Sequence, residues 1–124
     1  MIYLDTHAAL LLAQGDTTRF TKPALRALNR EDLLLSPAAV LELEFLHEIG
    51  RLKVRAREVV QILRQAVSLR VCDLPFFEIV EKALDEGWSR DPFDRLIVAN
   101  ARVRQARLLT RDERISAHYK HALW

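Results

Sequence analysis

Short apolar runs alternate along the chain with longer segments in which apolar residues recur at helical spacing. The short runs predict four strands and a fifth strand at the edge of a sheet, at residues 2–4, 32–35, 69–72, 108–110 and 121–124. The longer segments predict helices at residues 8–13, 37–49, 55–66, 75–86 and 92–105, with further helices beginning near Pro23 and after Asp112. Gly15, Gly50 and Gly87 follow three of these helices, as is typical of residues that end a helix.

The alternation of short strands with helices predicts an α/β fold whose parallel sheet is covered on both faces. Because parallel strands point in the same direction, the loops that follow them gather at one edge of the sheet. Open α/β sheets bind their ligands at that edge, where the strand order reverses. Polar residues that directly follow the strands are therefore the first candidates for a functional site.

The composition predicts a single domain spanning residues 1–124. Half of the residues are apolar, which is enough to fill one core, and the chain is short for two domains. Cys72 is the only cysteine, which excludes an internal disulfide and a cysteine-rich zinc site and favours a reducing, cytoplasmic location. There is no basic leader and no run of about 18 apolar residues, so the sequence predicts no membrane segment.

The positive charge of the chain is carried mainly by arginine. Fifteen of the 19 basic residues are arginines, although the net charge is only +2. The planar guanidinium suits phosphate groups and stacks on bases, so a nucleic-acid partner is one explanation. A genome that favours arginine codons is another, and the composition leaves both open.

Two aspartates follow predicted strands. Asp5 comes directly after the first strand, and Asp112 lies two residues beyond the fourth. Each is placed to project a carboxylate over the carboxyl edge of the sheet. Each could equally cap the helix behind it, because aspartate side chains accept hydrogen bonds from the free N–H groups of a first helical turn.

Glu42 lies on an apolar face of the predicted helix 37–49, together with Phe45, Leu46 and Ile49. Glu44 belongs to the opposite face, which has the composition of a solvated surface. A carboxylate that faces the core needs a partner, because burying an unpaired charge is costly. That partner is either an arginine or a metal ion.

Asp94 repeats this pattern at the start of the predicted helix 92–105, where it shares a stripe with Ile97 and Val98. Asp91 precedes Pro92 and has the position of a helix N-cap. Asp94 is also favourable in a first helical turn, because the helix dipole attracts negative charge there. Capping is thus an alternative to a functional role for both residues.

The predicted topology brings four carboxylates, those of Asp5, Glu42, Asp94 and Asp112, to one edge of the sheet. Unneutralised, they would repel one another and raise each other's pKa values. A divalent cation resolves this repulsion, and oxygen ligands favour Mg²⁺ or Mn²⁺. Such ions activate water for attack on a phosphodiester. Nearby arginines, with Arg95 and Arg111 as the candidates that flank these acids, would hold the nucleic-acid backbone.

Four segments of the chain resemble PIN-domain proteins, and most closely the VapC-type toxins of type II toxin–antitoxin systems. They are YLDTH at residues 3–7, SPAAVLE at 36–42, DPFDRLI at 91–97 and LTRD at 109–112. The third segment is the most specific, and all four have the order and spacing of the family.

The resemblance implies a Mg²⁺-dependent endoribonuclease, with Mn²⁺ as a possible alternative, on a three-layer α/β/α sandwich with a short central parallel sheet. Asp5, Glu42 and Asp94 match the three catalytic and metal-binding acids of the family, and Asp112 matches a fourth, more variable one. Its further implications are an RNA substrate, a homodimer, and a VapB-like antitoxin chain that occludes the site.

Three positions refine this resemblance. Asp91 matches an acidic residue common in the subgroup, and Thr110 matches a small hydroxyl position beside the site. Leu46 is a departure, because many relatives carry a lysine one turn after the glutamate.

Two other function classes remain as alternatives. One is a non-catalytic RNA-binding or regulatory PIN domain, against which the retained acids argue. The other is an aspartyl-phosphate phosphotransferase, whose nucleophile also follows the first strand. Many such enzymes place a second acid two residues after the nucleophile, where this chain has His7.

Overall fold

The computed structural model describes all 124 residues, and its centre is a parallel sheet of five strands. The strands are β1 (Ile2–Leu4), β2 (Leu33–Leu35), β3 (Arg70–Val71), β4 (Arg107–Leu109) and β5 (Ala122–Leu123). Their order across the sheet is β3-β2-β1-β4-β5. The predicted parallel sheet is confirmed, including its edge strand near the end of the sequence.

Seven helices connect and cover the strands. They are α1 (Thr6–Ala13), α2 (Lys22–Arg30), α3 (Pro37–Glu48), α4 (Ala56–Val67), α5 (Phe76–Ala83), α6 (Pro92–Val103) and α7 (Glu113–His118). Each predicted helix is present. However, α5 ends three residues before its predicted end, because the chain turns after Ala83 and buries the side chain of Glu86.

Both faces of the central strand are covered. Ile2, Tyr3 and Leu4 are all fully buried, although successive side chains of a strand point to opposite faces of its sheet. The sheet therefore lies between two helical layers, and the predicted α/β/α sandwich is confirmed. None of the helices is long and apolar enough to cross a membrane.

The strand order reverses at β1, which pairs with β2 on one side and with β4 on the other. The loops after these three strands lie at the same edge of the sheet, and the Asp5 N–H donates to the carbonyl of Leu109 across that edge at 3.0 Å. This is the position at which open α/β sheets bind ligands. The fold thus directs attention to the residues that follow β1, β2 and β4.

A buried polar cluster ties the central strand to α6. The Tyr3 hydroxyl donates to Cys72 Sγ at 3.0 Å, and Asn100 Nδ2 contacts both the Tyr3 hydroxyl and the sulfur, at 3.3 and 3.1 Å. All three residues are buried, and burial raises the pKa of Tyr3, so the hydroxyl stays protonated. Because polar partners in a core fix one arrangement, this cluster sets how α6 lies on the sheet.

The core face of α3 differs from the predicted one. Ala39 and Leu43 are fully buried, whereas Phe45 and Ile49 are 43% and 49% exposed. The prediction that Glu42 shares an inward stripe with Phe45 and Ile49 is therefore wrong. Ala39 and Leu43 are four residues apart and define the buried face themselves, which places Glu42 at the border of that face.

A second buried carboxylate, that of Glu86, anchors the loop between α5 and α6. Glu86 is 2% exposed and pairs with the Arg102 guanidinium on α6, while the Trp88 indole N–H donates to its other oxygen. Arg114 in turn donates to the Trp88 carbonyl at 2.8 Å. This loop is thereby fastened to α6 and α7 immediately before Asp91.

Glu86→Ala is expected to lower the free energy of unfolding by about 3 kcal/mol, because it leaves a guanidinium and an indole N–H without their acceptor. Glu81→Ala, on the exposed surface of α5, is expected to change it by less than about 0.5 kcal/mol. Urea denaturation at pH 7 measures both values. Equally small changes in the two variants would show that Glu86 is not an anchor.

Candidate metal centre

Asp5 lies at the carboxyl end of β1 and is buried. Its Oδ1 accepts the N–H of Ala8 at 2.7 Å, which makes it the N-cap of α1. Capping and a place in the candidate site, which the sequence left as alternatives, are therefore compatible for this residue.

Glu42 reaches the same edge from α3, half-buried, and its Oε1 accepts a hydrogen bond from the hydroxyl of Thr6. This contact joins α3 to the first residue of α1. Sequence reasoning assigned no role to Thr6, although it lies within the YLDTH segment that resembles PIN domains. Its position directly after Asp5 was the signal that could have identified it.

Asp91 and Asp94 both belong to the N-terminus of α6. The Oδ1 atom of Asp91 accepts the N–H groups of Phe93 and Asp94, at 2.8 and 3.4 Å, so the predicted N-cap is confirmed. Asp94 lies in the first helical turn and is half-buried. The Asp91 carboxylate is exposed on one side, which leaves an oxygen available beside that of Asp94.

Asp112 caps α7 by accepting the N–H groups of Arg114 and Ile115, at 2.8 and 3.0 Å. Its own N–H donates to Oγ1 of Thr110 at 3.1 Å. Thr110 is fully buried, so its hydroxyl holds the backbone at Asp112 from within the core.

The five acidic residues line one pocket of about 420 Å³ at the carboxyl edge of the sheet. They are Asp5, Glu42, Asp91, Asp94 and Asp112. The pocket also includes the side chains of Thr6, His7 and Arg111. The structure thus brings together carboxylates from the loops after β1 and β4 and from two helices, α3 and α6.

Three of these acids have carboxylate oxygens that lie close to one another. Glu42, Asp91 and Asp94 each offer one carboxylate oxygen, and the three oxygens lie within 4.8 Å of one another. An octahedral Mg²⁺ with bonds of about 2.1 Å holds its ligand oxygens roughly 3 to 4.2 Å apart, so small side-chain rotations close the remaining gap. The donor set is made of oxygen alone, which is the chemistry that Mg²⁺ and Mn²⁺ prefer.

Three carboxylates of this pocket, those of Asp5, Glu42 and Asp94, hold their protons more tightly than ordinary acids. Burial, followed by the charges of Asp91 and Glu42, raises the pKa of Asp94 to about 7. Burial also raises the pKa values of Asp5 and Glu42. A divalent cation would remove the repulsion among these groups and stabilise their charged forms.

In the absence of metal, the protein is expected to lose stability as the pH rises from about 4 to 7. Unfolded Asp94 has the ordinary pKa of 3.8, whereas the folded residue has a pKa of about 7, so the native state binds more protons between these two pH values. Asp94→Asn should recover about 1 to 2 kcal/mol of this loss after solvent screening, while Asp5 and Glu42 retain the same trend.

Urea denaturation in EDTA at pH 5 and pH 8 measures this dependence. Asp85→Asn is the matched control, because Asp85 is exposed and lies outside the pocket. A wild-type protein that is as stable at pH 8 as at pH 5 would contradict the raised pKa.

The two arginine candidates occupy different places. Arg111 lines the acidic pocket. Arg95 does not, because its guanidinium donates to the carbonyls of Ala83 and Leu84 at the end of α5. Arg95, which flanks Asp94 in the sequence, thus faces α5 and not the acids, because neighbouring residues of a helix point to different sides.

The sequence profile of the PIN domain matches residues 2–121. The chain belongs to the PIN-domain family. The resemblance to PIN domains noted from the four sequence segments is therefore confirmed, and it extends over nearly the whole PIN-domain chain.

Three solved structures are among those similar to this PIN-domain chain. A toxin–antitoxin complex from Klebsiella pneumoniae has a TM-score of 0.61 at 18% identity, with 100% of this chain and 97% of that chain covered. VapBC2 from Rickettsia felis, bound to a promoter DNA fragment, has a TM-score of 0.68 at 17% identity, with 99% and 96% covered. VapC20 from Mycobacterium tuberculosis, a toxin that cleaves the sarcin-ricin loop, has a TM-score of 0.59 at 22% identity, with 95% of each chain covered.

At these identities, the structural likeness establishes the fold that the PIN-domain chain shares with the three proteins. Comparison with curated protein sequences finds no match.

Proposed function

We propose that this PIN-domain chain is a Mg²⁺-dependent endoribonuclease and acts as the VapC-type toxin of a toxin–antitoxin pair. The observation that carries the proposal is the group of three carboxylate oxygens, from Glu42, Asp91 and Asp94, within 4.8 Å of one another in an acidic pocket of a PIN fold. Asp5 and Asp112 line the same pocket and complete the acidic set.

The acidic residues would have different roles in binding the metal. Glu42, Asp91 and Asp94 are the direct ligands, with Mn²⁺ able to replace Mg²⁺. Asp5 is held by the hydrogen bond that its Oδ1 accepts from the Ala8 N–H, which suits a carboxylate that must keep one orientation. The bound ion would supply an activated water and stabilise the charge that develops on the phosphodiester.

Other side chains of the pocket would position the substrate. Thr6 holds the Glu42 carboxylate in place, and the Arg111 guanidinium is available for a phosphate of the RNA backbone. Leu46, where many relatives carry a lysine, packs against the core and adds no charge to the pocket. Arg111 is therefore the basic side chain that we assign to phosphate binding.

The partner proposals rest on the structural neighbours and on exposed apolar surface. The neighbours include toxin–antitoxin complexes, among them FitAB bound to DNA with a TM-score of 0.53 at 20% identity. Phe76 and Phe77 are 68% and 72% exposed, which favours association of two copies. We therefore propose a VapB-like antitoxin and a homodimer, in the cytoplasm, where the RNA substrate is.

RNA cleavage tests the proposal. The protein should cut a single-stranded RNA oligonucleotide in Mg²⁺, EDTA should stop the reaction, and the matched DNA should remain intact. Attack by a metal-activated water leaves a phosphate on one product and free hydroxyls on the other. A 2′,3′-cyclic phosphate, or cleavage that persists in EDTA, would reject metal-activated hydrolysis. Binding of RNA without cleavage would favour the non-catalytic alternative.

A further inference from the structure

Arg111 lines the same pocket as five acidic residues and forms an ion pair with none of them. It lines the acidic pocket, yet its guanidinium has no carboxylate oxygen within 4.0 Å and makes no side-chain hydrogen bond. A flexible arginine next to a cluster of negative charge is expected to pair with it. Another contact must therefore hold the guanidinium away from the acids.

The Trp124 indole is the surface that Arg111 contacts instead. The guanidinium carbon lies 5.7 Å from the centroid of the indole ring, within the range of a cation–π interaction. A guanidinium that uses its face for an aromatic ring keeps the N–H donors along its edge free. Stacking on Trp124 thus preserves the donors that a phosphate would need.

The indole is itself firmly placed. Its ring packs on that of Phe20, a buried residue, with the two centroids 4.8 Å apart. The preceding residue, Leu123, belongs to β5 and accepts the N–H of Thr110 at 2.9 Å. The same two residues of the loop after β4, Thr110 and Arg111, are therefore held by β5 and by the ring that follows it.

We propose that Trp124 is a positioning residue for Arg111: it keeps the guanidinium at the rim of the pocket, available to an RNA phosphate and away from the metal-binding carboxylates. This inference rests on the proposed function for the identity of the substrate. The proposal that Trp124 keeps the Arg111 guanidinium from competing with the metal for the carboxylates can be tested by metal binding alone, without RNA.

The test is a cycle of variants in which Mn²⁺ binding is measured by titration calorimetry. Trp124→Ala should weaken Mn²⁺ binding about fivefold, because the released guanidinium pairs with the carboxylates, whereas Trp124→Phe should keep most of the wild-type affinity. In an Arg111→Ala background, Trp124→Ala should have no further effect. Circular dichroism at the temperature of the titration confirms that each variant is folded.

RNA kinetics give a second measure of positioning. Trp124→Ala should raise KM for the RNA several-fold more than it lowers kcat at saturating Mg²⁺, and Trp124→Phe should restore KM. If the wild-type protein binds Mn²⁺ but cuts no RNA, the proposed function is rejected. The calorimetric cycle then still decides whether Trp124 positions Arg111. The positioning role is overturned if Trp124→Ala leaves Mn²⁺ affinity unchanged, or weakens it equally in the Arg111→Ala background.

Discussion

Mn²⁺ at about one hundred times its dissociation constant is expected to raise the Tm of the wild-type protein by about 10 °C. Binding to the native state alone at that excess contributes roughly 2.7 kcal/mol, and each kcal/mol shifts the Tm of a domain of this size by about 4 °C. The carboxylates of Glu42, Asp91 and Asp94 would supply the binding energy, because a bound ion would remove their mutual repulsion.

Asp94→Asn is expected to abolish most of this shift. It removes one of the three closest carboxylates, and it replaces the group whose pKa burial and the neighbouring charges raise to about 7. The metal-free variant should also melt at a higher temperature than the metal-free wild type at pH 8, because one source of repulsion is gone. Asp5→Asn should reduce the shift as well if Asp5 belongs to the same site.

The control for this experiment is Asp85→Asn, which removes an exposed carboxylate outside the pocket. It should retain the full increase in Tm with Mn²⁺. Differential scanning fluorimetry after EDTA treatment and dialysis measures all four proteins. An unchanged metal response in both Asp5→Asn and Asp94→Asn would reject a shared site.

Glu42→Gln is expected to slow Mg²⁺-dependent RNA cleavage by at least about 100-fold, whereas Glu44→Gln should change the rate by less than about threefold. Glu42 points into the acidic pocket and is held there by Thr6. The Glu44 carboxylate, two residues along the same helix, pairs with Arg55 at 2.8 Å and accepts the Ala56 N–H.

This pair of variants separates catalysis from the folding of α3. Both substitutions remove one negative charge from the same helix and keep a side chain of the same size. Glu44→Gln should instead lower stability slightly, through its contacts with α4. Initial cleavage rates at saturating Mg²⁺, with Tm values for each protein, decide between the roles, and similar rates for the two variants would exclude Glu42 from the reaction.

The architecture was predictable because it depends on local patterns. Apolar runs of three residues, such as Leu33–Leu35, read as strands buried on both faces, and the prolines and glycines between them mark helix ends. Asp5 and Asp112 could be placed at one edge because each follows a parallel strand. The topology therefore predicts the position of those site residues that directly follow a strand.

The errors concern contacts between elements that are distant in the sequence. Which face of α3 is buried depends on how that helix packs on the sheet and on α4. The apolar residues of α3 fit two neighbouring helical stripes that are offset by one residue, and the sequence does not determine which of the two is buried. Arg95 donates to the carbonyls of Ala83 and Leu84 at the end of α5, and the sequence around Arg95 does not predict this contact. Asp91 was correctly seen as a helix cap, but its place in the closest acidic group depends on the position of Glu42, which only the packing of α3 beside α6 determines.

The most direct test of the account is the position of Mn²⁺ in crystals of the wild-type protein, from anomalous diffraction at the manganese edge. We expect a peak about 2.2 Å from carboxylate oxygens of Glu42, Asp91 and Asp94 at the Mn²⁺ concentration that supports RNA cleavage. Asp94→Asn crystals in the same solution should lose that peak. A peak elsewhere on the protein, or no peak in this pocket while the enzyme cuts RNA, would contradict the assignment of the metal centre.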